Sequence, residues 1–178
     1  MTMDNVTVAK ESSQAGSQVN FKGEPVKLYP GKLKLGDNFV DLAKGTDIDF
    51  QFGNKVTIVS IVPSIDTPVC ELQTHKLDGA KDLGSDVDVV TISRDLPMAQ
   101  NRFTKSCQLK NIKFYSDYKS GAFGKKSGLM MQGKELLARA IVVLDKKGVV
   151  KYVQVVPEIT HFPDLDKAIQ AAKALVKG

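Results

Sequence analysis

Cysteine is scarce in this chain, with two in 178 residues, and that excludes a disulfide scaffold. Long apolar runs are missing too. No window reaches the roughly eighteen continuous apolar residues that a membrane-spanning helix needs. The opening stretch MTMDNVTVAKESSQAGSQ has neither the basic start nor the apolar core of a secretory signal. With so few cysteines, the expected setting is a reducing cytoplasm. Net charge is +5, but Lys and Arg gather on no single stripe. "KSCQLKNIK" and "GKKSG" read as solvated faces, so neither a nucleic-acid partner nor a membrane is expected. There is no internal repeat and no Cys-x-x-Cys pair, which disfavours a thioredoxin-type oxidoreductase.

What remains is the composition of one soluble globular domain, 42% hydrophobic and 25% charged. Residues 1–18 are rich in Ser, Gln, Asn and Thr and are expected to form a flexible extension before a domain spanning 19–178. "VNFKGEPVKLYPG" sets two short alternating segments around Gly23 to Pro25, the pattern of an N-terminal β-hairpin. From Ile48 onward strands alternate with helices. "KVTIVSIV", "VDVVTIS" and "AIVVLD" are continuous β-branched runs, as strands buried on both faces require. "LDKKGVVKYVQVV" reads as a hairpin turning at Lys147-Gly148. The fold class is therefore α/β, a central mixed sheet flanked by helices. Two segments carry helical spacing: "TPVCELQTHKLDGAKDLG", through Leu72, Leu77 and Leu83, and "FPDLDKAIQAAKALVKG", through Leu165, Ile169, Ala172 and Leu175.

The first of these helices starts in an unusual way, with "VPSIDTPVC" after the apolar strand. Thr67 as N-cap puts Pro68 at the first helical position, where its missing N–H costs nothing, and Cys70 at the third. Unpaired backbone N–H groups and the positive end of the helix dipole favour an anion there, hence a thiolate and a nucleophile. Two readings stay open on local physics alone: a reactive Cys70, or an inert thiol buried beneath an ordinary Thr-Pro cap.

The wider pattern bears on that choice. "PSIDTPVC" contains Pro63, Thr67 and Cys70 in a Pro-x-x-x-Thr-x-x-Cys arrangement. "DLPMAQNRF" follows at Asp95 to Phe103 and "LLARAIVVLD" at Leu136 to Asp145. Together these resemble the peroxiredoxins, and in particular the bacterial thiol peroxidase branch, from about Asn20 to the C-terminus. The resemblance implies a thioredoxin-like fold, a homodimeric assembly, hydrogen peroxide and alkyl hydroperoxides as substrates, and thioredoxin as reductant. It implies no heme, flavin or metal cofactor, because sulfur does the redox work. Cys70 would attack the peroxide, Pro63 would shield the pocket, Thr67 would hydrogen-bond the substrate and Arg139 would stabilise thiolate and peroxide oxygens.

In that branch the resolving cysteine directly follows the aromatic residue of the middle motif, a place occupied here by Thr104. Cys107 comes three residues later, and the expectation is that it still resolves the Cys70 sulfenic acid as an intramolecular disulfide. The competing expectation is a one-cysteine enzyme resolved by an external thiol. Further rivals are a cysteine acyl hydrolase using Cys70 with His161 as base, and a thioredoxin-like binding module without chemistry. His75, five residues after Cys70, lies about 140° round a helix from it and is not expected to share a site with it.

Overall fold

The apolar run at Val56 sets the architecture, because a strand with both faces apolar must be covered on both sides. The computed structural model describes residues 6–80 and 83–178. In chain order the elements are β1 (Gln18–Phe21), β2 (Glu24–Lys27), α1 (Phe39–Ala43), β3 (Val56–Ile61), α2 (Pro68–Asp78), β4 (Val87–Ser93), α3 (Pro97–Ser106), β5 (Ile112–Ser116), α4 (Ala122–Ser127), β6 (Ala140–Leu144), β7 (Val150–Val155) and α5 (Leu165–Lys177). A five-stranded sheet runs in the order β5-β4-β3-β6-β7. β3, β4 and β5 pair in parallel, whereas β6 and β7 are antiparallel to their neighbours. The sheet is thus mixed, with β3 at its centre.

Alternation along β3 decides which helix meets which side chain. Val56 and Ile58 face a cluster with Leu77 of α2 and with Leu165, Ala168 and Ala172 of α5. Val59 and Ile61 face the opposite cluster, which contains Phe39 of α1 and Phe123 of α4. Each large side chain fully buried in this way stabilises the fold by about 1.5–3 kcal/mol. Ser60 shares the α2/α5 side with Ile58. Among the described residues no helix is long and apolar enough to cross a membrane.

The N-terminal hairpin forms as expected, but its turn is Lys22-Gly23, at φ 50° and 83°, so the left-handed conformation falls where glycine tolerates it best. Pro25 lies in β2 opposite Asn20, within a two-stranded ribbon where its missing N–H is tolerated. The first helix is shorter than its spacing suggested. It stops at Asp78, with the N–H of Gly79 donating to the carbonyl of His75, and glycine is a poor continuation of a helix. Its buried face is Val69, Cys70, Gln73, Thr74 and Leu77, not the Leu72 row.

The expected free extension also differs from what is seen between Val6 and Ser17. The N–H groups of Ala9 and Ser13 donate to the carbonyls of Phe162 and Val155, both at 2.8 Å. Buried Gln154 donates from Nε2 to the carbonyls of Ala9 and Glu11. A polar composition hides this docking because the bonds are mostly to backbone. Residues 1–5 of the expected extension lie outside the described residues.

Glu158 fastens the hairpin to the domain. Its carboxylate accepts from the backbone N–H of Gly23 at 2.8 Å, from Thr160 N–H at 3.1 Å and from the Thr160 hydroxyl at 2.9 Å. Burial pushes this carboxyl up, but hydrogen bonds from Gly23, Thr160 and Lys22 outweigh it and hold the group below its ordinary range. A depressed carboxyl stabilises the fold above the unfolded value of about 4.3, and that contribution is lost as pH falls through the folded value. Hydrogen exchange at the Gly23 amide should therefore lose protection below about pH 4, relative to Glu158→Gln, which should show no such acid step. Equal acid sensitivity in both proteins would contradict this role.

Candidate active site

The period of two that sorts the core also builds the site. Arg139 precedes β6 and lies on the same side as Ile141 and Val143, the side that faces α2 and α5. Ile61 pairs with Ala140, so the register continues to Val62 opposite Arg139. Val62 packs with Ile65 and Cys70 in a small apolar cluster closed by Phe103 of α3 and Phe114 of β5. The end of the central strand, the start of α2 and the residue before β6 thus converge.

Cys70 is fully buried, and its Sγ accepts a hydrogen bond from Arg139 Nη1 at 3.2 Å. Arg139 is itself 3% exposed. Its Nε donates to the Ile159 carbonyl at 2.8 Å, and Nη1 also donates to Gln73 Oε1 at 3.1 Å. Gln73 Nε2 in turn donates to Ser60 Oγ at 2.6 Å. Among the described residues no carboxylate lies within ion-pair distance of Arg139.

The loop before α2 is held from below by Asp95. Its carboxylate accepts from Ser64 Oγ at 2.8 Å, from the Ile65 N–H at 2.9 Å and from Ser93 Oγ at 2.6 Å. Pro63 is buried within this loop. Thr67 is the N-cap residue with extended backbone, as its position predicts, but its side chain caps nothing. The hydroxyl donates to the Ser64 carbonyl at 3.2 Å, leaving its lone pairs to accept another bond. The capping reading of the threonine is therefore not met.

Cys70 and Arg139 meet directly, Pro63 and Thr67 lie in the loop and cap that lead into Cys70, and Cys107 is placed elsewhere. Cys107 is the C-cap of α3 and half-buried, and its Sγ lies near Glu71 and His75 on the outer face of α2. Burial, then the Glu71 charge, pushes its thiol up. His161 supplies no bond to Cys70: its backbone N–H donates to the Glu158 carbonyl at 2.8 Å, and the polar group on the sulfur is a guanidinium, not an imidazole. That argues against the acyl-hydrolase dyad. Sequence reading missed Gln73, Ser60 and Asp95. Ser60 was the available signal, since a hydroxyl in a strand buried on both faces needs a partner.

The Redoxin family profile matches residues 37–169. A thiol peroxidase of Bacillus subtilis is 39% identical over 168 residues, covering 90% of this chain and 99% of that one. A thiol peroxidase of Halalkalibacterium halodurans is 41% identical over 164 residues, covering 89% and 98% respectively. The crystal structure of a peroxiredoxin-like protein from Aquifex aeolicus superposes with a TM-score of 0.77 at 35% identity, over 92% of this chain and 99% of that one.

Gln73 has no exposure and links Ser60 to Arg139, so replacing it with an apolar residue leaves two buried polar groups short of a partner. Gln73→Met should lower stability in urea by about 1–3 kcal/mol, and Gln73→Glu, which still accepts from Arg139, should lower it less. Equal stability of the wild type and Gln73→Met would show that the link carries no weight.

Proposed function

The chain belongs to the Redoxin family, with a thioredoxin-like fold, and is a thiol-dependent peroxidase; on that premise we propose that Cys70 is the residue that attacks peroxide and Arg139 the group that stabilises the charge it handles. One observation supports this above the others. Arg139 is a buried cation without a carboxylate partner among the described residues, and its guanidinium meets the Cys70 sulfur at 3.2 Å. A buried charge needs an answering one. The Cys70 sulfur is the group placed to provide it.

In this reading the Cys70 thiolate attacks the terminal oxygen of a hydroperoxide. The O–O bond breaks, the leaving oxygen takes a proton and departs as water or an alcohol, and Cys70 becomes a sulfenic acid. Thr67, whose hydroxyl is not used as a cap, hydrogen-bonds the peroxide. Pro63 shields the sulfur from bulk water. Val62, Ile65, Phe103 and Phe114 around Cys70 make an apolar surround that accepts alkyl hydroperoxides beside hydrogen peroxide.

Cys107 then attacks the sulfenic sulfur, water leaves, and an intramolecular disulfide forms. The two sulfurs sit on different faces of α2, and a disulfide needs Cα atoms within about 7 Å. The first turn of α2 and the end of α3 must therefore loosen first, which makes resolution slow and leaves Cys70 open to over-oxidation. Thioredoxin, or a dithiol of its type, returns both cysteines to thiols by exchange. The functional unit is residues 19–178 in the cytoplasm, with the docked segment before it bracing β7. It pairs as a homodimer, a reading supported by exposed Leu96 and Met98 at the start of α3.

Peptide mapping after one equivalent of hydroperoxide tests the assignment. Cys70→Ser should lose turnover altogether, the wild type should show a Cys70–Cys107 disulfide, and Cys107→Ser should accumulate sulfenic Cys70, which a second equivalent takes to sulfinic acid. Turnover in Cys70→Ser would overturn the peroxidatic assignment. A Cys107→Ser protein that cycles with thioredoxin as fast as the wild type would overturn the resolving one.

A further inference from the structure

On the outer face of α2 Cys107 meets two side chains, Glu71 and His75, that the peroxidase chemistry does not use. Glu71 and His75 are four residues apart on that helix, so they project from one face. Cys107 reaches them from the end of α3. One carboxylate oxygen, one imidazole nitrogen and the Cys107 Sγ all lie within 4.8 Å of one another, and Glu71 Oε1 is 3.8 Å from His75 Nε2. We propose that Glu71, His75 and Cys107 form a binding site for a divalent cation of zinc type.

The donor set selects the ion. Sulfur and imidazole with one carboxylate suit zinc and its neighbours, and do not suit calcium or magnesium, which take oxygen ligands. Tetrahedral zinc at bond lengths of about 2.0–2.3 Å needs donors roughly 3.3–3.8 Å apart. The Glu71 and His75 side chains are 52% and 43% exposed, free enough to swing through the remaining ångström. Phe103 stands beside the imidazole, with ring centroids 6.4 Å apart. A surface depression of about 190 Å³ lined by Pro68, Glu71, Leu72 and His75 leaves room for a water as fourth ligand. Binding forms a Zn–S bond and releases the Cys107 proton to solvent, with no change of oxidation state. The carboxylate and thiolate together neutralise the ion's charge.

Such an ion ties the first two turns of α2 to the end of α3 and occupies the Cys107 sulfur. On the reading that Cys107 resolves Cys70, which this consequence alone rests on, metal occupancy holds the enzyme at the sulfenic acid and metal release restores the cycle.

Cobalt(II) titration of the reduced, full-length protein tests the site. A saturable one-to-one complex is expected, with a thiolate-to-cobalt charge-transfer band and tetrahedral ligand-field bands, both removed by one equivalent of zinc. Cys70→Ser should keep these bands and Cys107→Ser should lose the charge-transfer band. His75→Ala and Glu71→Gln should each weaken binding roughly tenfold or more. Absence of saturable binding overturns the site, as do bands that survive in Cys107→Ser but vanish in Cys70→Ser. With zinc bound, sulfenic acid formation at Cys70 should keep its rate while disulfide formation slows by roughly tenfold or more. Site-specific binding with unchanged disulfide formation would overturn the regulatory consequence and leave the metal site standing. A reduced protein that binds no metal yet forms the Cys70–Cys107 disulfide on oxidation would overturn the metal site and leave the resolving role standing.

Discussion

A positive charge buried without a carboxylate partner among the described residues is the constraint around which the rest of this protein is arranged. Arg139 keeps its guanidinium inside the domain through the Ile159 carbonyl, Gln73 Oε1 and the Cys70 sulfur. The first two are neutral. Only the sulfur can carry the opposite charge, and in a site of low dielectric that pairing is worth far more than at the surface. On the proposed reading, this contact is what makes Cys70 the nucleophile.

Each flank of the fold bears on this contact. β3 and β6 set it by register, since Ile61 and Ala140 pair and the next residues on each strand are Val62 and Arg139. α2 presents Cys70 and Gln73 on one face because they are three residues apart. Asp95, reaching from the end of β4, fixes the loop that leads into α2. The hairpin bears on it from farther away. Its Gly23 is held by Glu158, and the residue after Glu158 supplies the carbonyl that orients Arg139. Polar groups buried on α2 are thus part of the site, which explains why that helix shows little amphipathic contrast: its inward face includes Gln73 and Thr74.

What the sequence revealed and what it concealed divide along physical lines. The strands were legible because β-branched runs buried on both faces have no other home. The helix start at Thr67 was legible from Pro68, and Cys70, Thr67, Pro63 and Arg139 from motifs resembling the peroxiredoxins. Gln73 and Ser60 were not, since their meaning lies in a contact between a helix and a strand that no local pattern encodes. The docking of Val6 to Ser17 was hidden for a related reason: its bonds run largely through backbone groups, which every sequence has. The meeting of Cys107 with Glu71 and His75 required two helices to be packed before it could be seen.

The central claim is most directly tested by the second-order rate constant for sulfenic acid formation at Cys70, followed in single turnovers of the Cys107→Ser protein with and without Arg139→Ala. The account predicts that removing the guanidinium slows peroxide attack by on the order of 10²–10³-fold, in a protein that circular dichroism shows to be still folded. A folded Arg139→Ala protein that reacts at the unaltered rate would mean that Arg139 only fills space beside Cys70, and the account would fail.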